Sequence, residues 1–76
     1  MFDSIYSNEY KQVTARLKKA RADSGITQTQ IAEKLKKPQS YISKIESGER
    51  RIDVAELKKI ADLYDKKINY FIGEDI

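Results

Sequence analysis

The chain has no cysteine and no histidine, only one proline and three glycines, and no long apolar run. Without cysteine there are no disulfides and no thiolate metal sites. Without histidine there is no imidazole to act as a base or metal ligand. The longest uninterrupted apolar stretch is three residues, too short to span a membrane. The opening MFDSIYSNEY is polar and carries two acids, unlike a secretory leader. These absences lead us to expect a cytoplasmic protein with no metal and no cofactor. No period-two alternation argues for a strand, and no repeat, linker or low-complexity segment divides the chain. For seventy-six residues we expect one small domain, 1–76, with a core over about 10–73 and no further domain appended. With no covalent staple, its stability must come from helix packing, dimerisation, or both. An enzyme is not expected. The paired acids sit at helix caps and on exposed faces, and there is no nucleophile–base pair and no glycine-rich loop. The chain is also too short to enclose a pocket.

What is present is charge, unevenly spread. The net charge is +3. Residues 11–51 hold eleven basic and four acidic side chains, a balance of +7, while residues 1–10 and 52–76 each carry −2. The middle of the chain is therefore the expected face toward a polyanion. Lys58, Lys59, Lys66 and Lys67 read as ordinary solvating groups.

Apolar spacing predicts five helices. A first helix capped by Ser7 carries Tyr10, Val13, Leu17 and Ala20 on one stripe and ends at Gly25. Arg16, Lys18 and Lys19 lie off that stripe, as solvated groups would. Thr27 and Gln30 form a T-x-x-Q capping box, with Ile26 and Ile31 as a hydrophobic staple, and this second helix buries Ile31, Ala32 and Leu35. A third helix runs from Gln39 to about Ser47. Asp53 and Glu56 form another capping box for a fourth, whose inner stripe is Leu57, Ile60, Ala61 and Tyr64. A last short turn holds Ile68, Phe71 and Ile72 and ends at Gly73.

The stretch Thr27–Arg51 organises the rest. On a wheel at ~100° per residue, Pro38, Ile42 and Ile45 share one side of the third helix, with Tyr41 at its edge. Gln39, Ser40, Ser43, Lys44 and Ser47 share the other: an amide, three hydroxyls and an ammonium, with no carboxylate. That face suits base edges and phosphates in a DNA groove, and equally a solvated surface. Glu46 lies between the two sides.

The sequence resembles the phage-repressor and Cro class of helix-turn-helix regulators, the xenobiotic-response-element (XRE) type. The residues that carry the likeness are Gly25-Ile26-Thr27-Gln28, Ile31-Ala32, Leu35 and the run Gln39 to Arg51. The likeness extends over about residues 16–73. It implies an all-α, compact five-helix bundle, lambda-repressor-like, with the helix-turn-helix at about 27–47. By this resemblance the protein is a sequence-specific DNA-binding transcriptional regulator, a repressor acting as a homodimer. Its third helix enters the major groove of an operator in double-stranded DNA. Gln39, Ser40, Ser43 and Lys44 are then expected at base edges. Gln28, Lys36, Lys37, Tyr41, Ser47, Arg50 and Arg51 are expected at phosphates. Arg21 is expected to pair with Glu46 as a structural ion pair. Two positions depart from the family's usual pattern. Lys36 stands where a glycine often ends the second helix, which requires either a positive φ at lysine or a turn of different detail. Pro38 stands where serine often caps the third helix.

A single short helix reads too few base pairs to find one site in a genome, so symmetry is the expected remedy. The C-terminal segment is the expected surface. Ile68, Phe71 and Ile72 share one side and should pack inward, leaving Tyr70 and Ile76 without a core to join. Tyr70 and Ile76, together with Phe71 between them, make the candidate dimer interface, with the arm bearing Phe2, Ile5 and Tyr6 as its competitor. An antitoxin or a protein-interaction module on the same fold is the alternative function. A docking module would more often expose Leu, Met or Phe on the third helix.

Overall fold

The computed structural model describes residues 8–72. Within them the chain forms α1 (Asn8–Ser24), α2 (Gln28–Leu35), α3 (Gln39–Ser47), α4 (Val54–Leu63) and α5 (Ile68–Ile72). No strand occurs among the described residues. Ser7, the arm with Phe2, Ile5 and Tyr6, Gly73 and the dimer candidate Ile76 lie outside them.

Local chemistry sets the boundaries. Thr27 Oγ1 accepts from Gln30 N at 3.1 Å, and Gln30 Oε1 accepts from Thr27 N at 2.9 Å, so both halves of the capping box are made. Asp53 Oδ1 likewise accepts from Glu56 N at 2.8 Å to open α4. Two free N–H groups are satisfied at the α2 start and one at α4, contributing about 1 kcal/mol per cap. Lys36 ends α2 with φ 59°, in the left-handed region. Lys37 N then donates to Ala32 O at 2.9 Å, reversing the chain over three residues before α3 starts. Pro38 is extended at φ −67° and ψ 154°, immediately before the first turn of α3. It is exposed, so it does not belong to the inner face of α3 with Ile42 and Ile45. Gly48 ends α3 at φ 86°, a backbone that glycine adopts without a Cβ penalty.

The helices close around one core: Leu17 and Ala20 of α1, Ile31 and Ala32 of α2, Ile42 and Ile45 of α3, Leu57, Ile60 and Ala61 of α4, then Tyr64 and Phe71. α1 packs on α3 and α5, α2 on α3, and α4 on α5. The small Ala20, Ala32 and Ala61 let helix axes approach, while Phe71, Leu17, Ile31 and Ile45 supply the bulk. Val13, Ile26, Leu35, Tyr41, Ile52, Ile68 and Tyr70 pack around the rim.

The C-terminal expectations need correction. Phe71 is fully buried, with 0% exposure, because α5 drives its ring into the centre of the core. It therefore has no surface to offer a second chain, and it leaves the dimer interface. Ile72, expected inside, is 51% exposed. Tyr70 does find a core to join. Its ring meets Phe71 edge-on at 5.0 Å, and Arg16 and Lys66 lie over it at 5.4 and 4.8 Å. Arg16 is accordingly not a solvated group. Its Nη1 donates to Tyr70 O at 2.6 Å and ties α1 to α5.

Candidate nucleic-acid interface

α3 buries Ile42, Ile45 and Glu46 and turns Gln39, Ser40, Lys44 and Ser47 to the outside; Ser43 is half-buried at the margin. The polar face read from the sequence is thus a real face of the folded domain, and its N-terminal end stands against the N-terminal end of α2.

The two ends are joined through side chains. Gln39 Nε2 donates to Gln28 Oε1, and Gln28 Nε2 donates to Glu46 Oε1 at 3.0 Å. Glu46 in turn receives Arg21 Nε at 2.7 Å and Nη2 at 3.1 Å, a bidentate pair. Arg21 Nη1 also donates to Ile26 O at 3.0 Å. One chain of hydrogen bonds therefore runs from α1 through the interior to the tip of α3. The Glu46 hydrogen bonds hold the Arg21 guanidinium pKa above its ordinary value, against the opposing effect of burial. Burial, with Glu46 nearby, also raises the pKa of the Tyr64 hydroxyl beneath the pair. The Glu46 side chain is 4% exposed and that of Arg21 18%, so removing either partner strands a buried charge at a cost of about 3–5 kcal/mol.

Cations flank the polar face. Lys36 and Lys37 occupy the turn before it, and Arg50 and Arg51 the loop after it; all four are exposed. Tyr41 gathers one from each side, with Lys37 Nζ 5.1 Å and Arg50 Cζ 5.0 Å from its ring centre. Burial first, and Glu56 second, raise the Tyr41 pKa, so its hydroxyl keeps its proton beyond the usual tyrosine range. Ser47 is less open than the sequence suggests. Its Oγ lies 3.1 Å from Lys44 O and 3.3 Å from the Glu49 carboxylate, at the end of its own helix.

Tyr10 is a positioning residue that its place on an apolar stripe concealed. Its hydroxyl accepts from Ile52 N at 2.9 Å and donates to Arg50 O at 3.2 Å. Arg51 lies over its ring at 5.8 Å. α1 thereby holds the loop that carries both arginines. Nothing in local spacing signals a contact across 40 residues. Among the described residues no cluster of His, Cys, Asp and Glu is arranged to hold a metal, and no helix is long and apolar enough to cross a membrane.

Two short helices at a tight turn, with the second presenting a polar, cation-flanked face, define a helix-turn-helix domain. Residues 17–71 match the helix-turn-helix family model. Over 60 residues the chain is 38% identical to the HTH-type transcriptional regulator ImmR of Bacillus subtilis (strain 168), an alignment covering 79% of this chain and 47% of that protein. The chain belongs to the XRE/Cro/C1-type family of helix-turn-helix transcriptional regulators. It spans about half the length of the ImmR relative.

Proposed function

We propose that the protein is a sequence-specific DNA-binding repressor that inserts α3 into the major groove of an operator and binds as a homodimer. The observation that carries this reading is the Gln28–Gln39 amide pair at the paired N-termini of α2 and α3. It holds an exposed amide at the tip of a helix with cations on both flanks. Gln39, with Ser40, Ser43 and Lys44, reads base edges; an amide matches adenine N6 and N7, and an ammonium donates to guanine O6 and N7. Gln28, Lys36, Lys37, Tyr41, Arg50 and Arg51 hold the phosphates, helped at Gln28 by the free N–H groups of the α2 N-terminus. Ser47, turned into its helix end, contributes less than the others. Repression follows from occupancy: a domain seated on a promoter element excludes other proteins from it. Its place of action is the cytoplasm, on DNA, and it carries out no catalysis.

The test is binding to a duplex selected from a random library, compared with random DNA. Gln39→Ala and Lys44→Ala are each expected to cost ~1–3 kcal/mol on the selected site and much less on random DNA. Equal losses on both duplexes would reassign the two residues to phosphate contacts. No binding to any duplex across a low-salt series would favour a docking module over a DNA reader.

A further inference from the structure

We infer that Glu46, buried behind the exposed face of α3, is a specificity-determining positioning residue. Its carboxylate sets the polarity of the Gln28–Gln39 amide pair, and so determines which groups Gln39 offers to the DNA. This rests on the reading of α3 as the recognition helix.

A side-chain amide can rotate by ~180° and exchange its oxygen and nitrogen at little steric cost, so its orientation follows its partners. Here the partners leave no choice. Glu46 is the bidentate acceptor of Arg21, and an ionised carboxylate has no hydrogen to give. Gln28 must therefore turn its NH2 group to Glu46 Oε1, at 3.0 Å, which directs its oxygen outward. That oxygen accepts one N–H of Gln39. Gln39 is left with one N–H and one oxygen for a ligand. The direction of the chain is set in the interior, where Glu46 is 6% exposed, and read out at exposed Gln39.

The consequence is a choice between purines. One donor beside one acceptor complements N7 and N6–H of adenine. Guanine offers two acceptors, N7 and O6, and is matched by an amide that donates both of its N–H groups. Gln28 removes that option by occupying one of them. Reversing the chain would restore it. In Glu46→Gln the amide oxygen keeps the shorter Arg21 bond, the one from Nε at 2.7 Å, which puts the NH2 at the Oε1 position, against Gln28 and in place of the acceptor of Arg21 Nη2. Gln28 then takes that donor on its oxygen and turns its own NH2 toward the oxygen of Gln39. Both Gln39 N–H groups become available to guanine.

The experiment uses the duplex selected by the unmodified protein and the same duplex with adenine replaced by guanine at the base pair read by Gln39. That pair is the one at which Gln39→Ala loses its preference. The readout is the ratio of the two Kd values within one variant, in which any loss of folded fraction cancels. The expected result is a fall of about tenfold or more in the adenine preference for Glu46→Gln, in keeping with the worth of one bidentate base contact. Gln28→Ala, which cuts the chain and leaves both residues of the Arg21–Glu46 pair in place, is expected to lower the same ratio. Arg21→Lys keeps the carboxylate and is expected to keep the ratio even where stability drops. A ratio for Glu46→Gln equal to that of the unmodified protein would overturn the inference. If Glu46→Gln does not fold, an unchanged ratio in Gln28→Ala overturns it instead, because Gln28 is the link between Glu46 and Gln39. Failure of the underlying reading looks different: Gln39→Ala would then alter preference at no base pair.

Discussion

Lys36 joins stability and function in one side chain. At φ 59° its Cβ crowds the backbone, a conformation that costs a residue other than glycine about 1–2 kcal/mol. Glycine would relieve that strain and lose part of the gain through the greater freedom of its unfolded chain. The net gain for Lys36→Gly is expected to be up to ~1 kcal/mol, equivalent to a rise of about 4–8 °C in Tm for a domain of this size. The same change removes a cation from the turn beside the proposed groove. The slope of log K against log[salt] is then expected to shrink in magnitude by about 0.9. A thermal melt and a salt titration of one variant test both halves. A lower Tm would mean that Lys36 stabilises the turn by contacts that outweigh its strain. The exposed pairs Lys19–Asp23 and Lys58–Asp62 make an instructive contrast with Arg21–Glu46. More than half exposed on each side chain, they add at most about 1 kcal/mol each, because water already solvates both partners.

At the scale of elements, α3 works only as far as its neighbours hold it. α2 aligns its N-terminus through Gln28, and α1 fixes the following loop through Tyr10. Tyr10→Phe keeps the ring that Arg51 overlies and removes the hydroxyl that serves Ile52 N and Arg50 O. It is expected to cost about 1 kcal/mol of stability. Binding to all duplexes is expected to weaken by a similar factor, with base preference unchanged, because in the proposed complex the loop meets phosphates and not base edges. Chemical denaturation together with binding to selected and random DNA checks this. A change in sequence preference would move the loop to the base-reading part of the interface.

At the scale of the whole molecule, the proposed dimer needs a surface away from α3. With Phe71 buried and Tyr70 packed against the core, we propose Ile72 for that surface. Phe71 is enclosed, and Tyr70 is packed against the core and overlain by Arg16 and Lys66. Ile72, on the outer side of α5, is a large apolar group in contact with solvent. Ile72→Glu is expected to weaken self-association in sedimentation while the circular dichroism of the monomer is retained. Tyr70→Glu is expected to damage the monomer as well, by uncovering Phe71. Footprints of the unmodified protein should protect two half-sites about one DNA turn, ~34–36 Å, apart. Protection of a single half-site at saturation would contradict the dimer.

Helix positions, caps and most of the core were already legible in the sequence, because they depend on neighbours three and four residues away. The T-x-x-Q box, Gly25 at a helix end, and the stripes Leu57-Ile60-Ala61-Tyr64 and Ile31-Ala32-Leu35 are all of this kind. The likeness to XRE/Cro/C1-type regulators, carried by residues between Gly25 and Arg51, was legible for the same reason: a contiguous motif keeps its spacing in the chain. Three things were settled only by tertiary structure. Spacing placed Tyr10 on a stripe and Arg16 off it, whereas long-range packing made them clamps on the 50–52 loop and on α5. The resemblance left open how lysine ends α2, and the folded chain takes the left-handed turn there, with α2 packed on α3. The direction of the Arg21–Glu46–Gln28–Gln39 chain depends on four side chains from three helices meeting at hydrogen-bond distance. Hydrogen bonds are directional and short in range, so only a fold that fixes three helix axes together decides which end of each amide points outward.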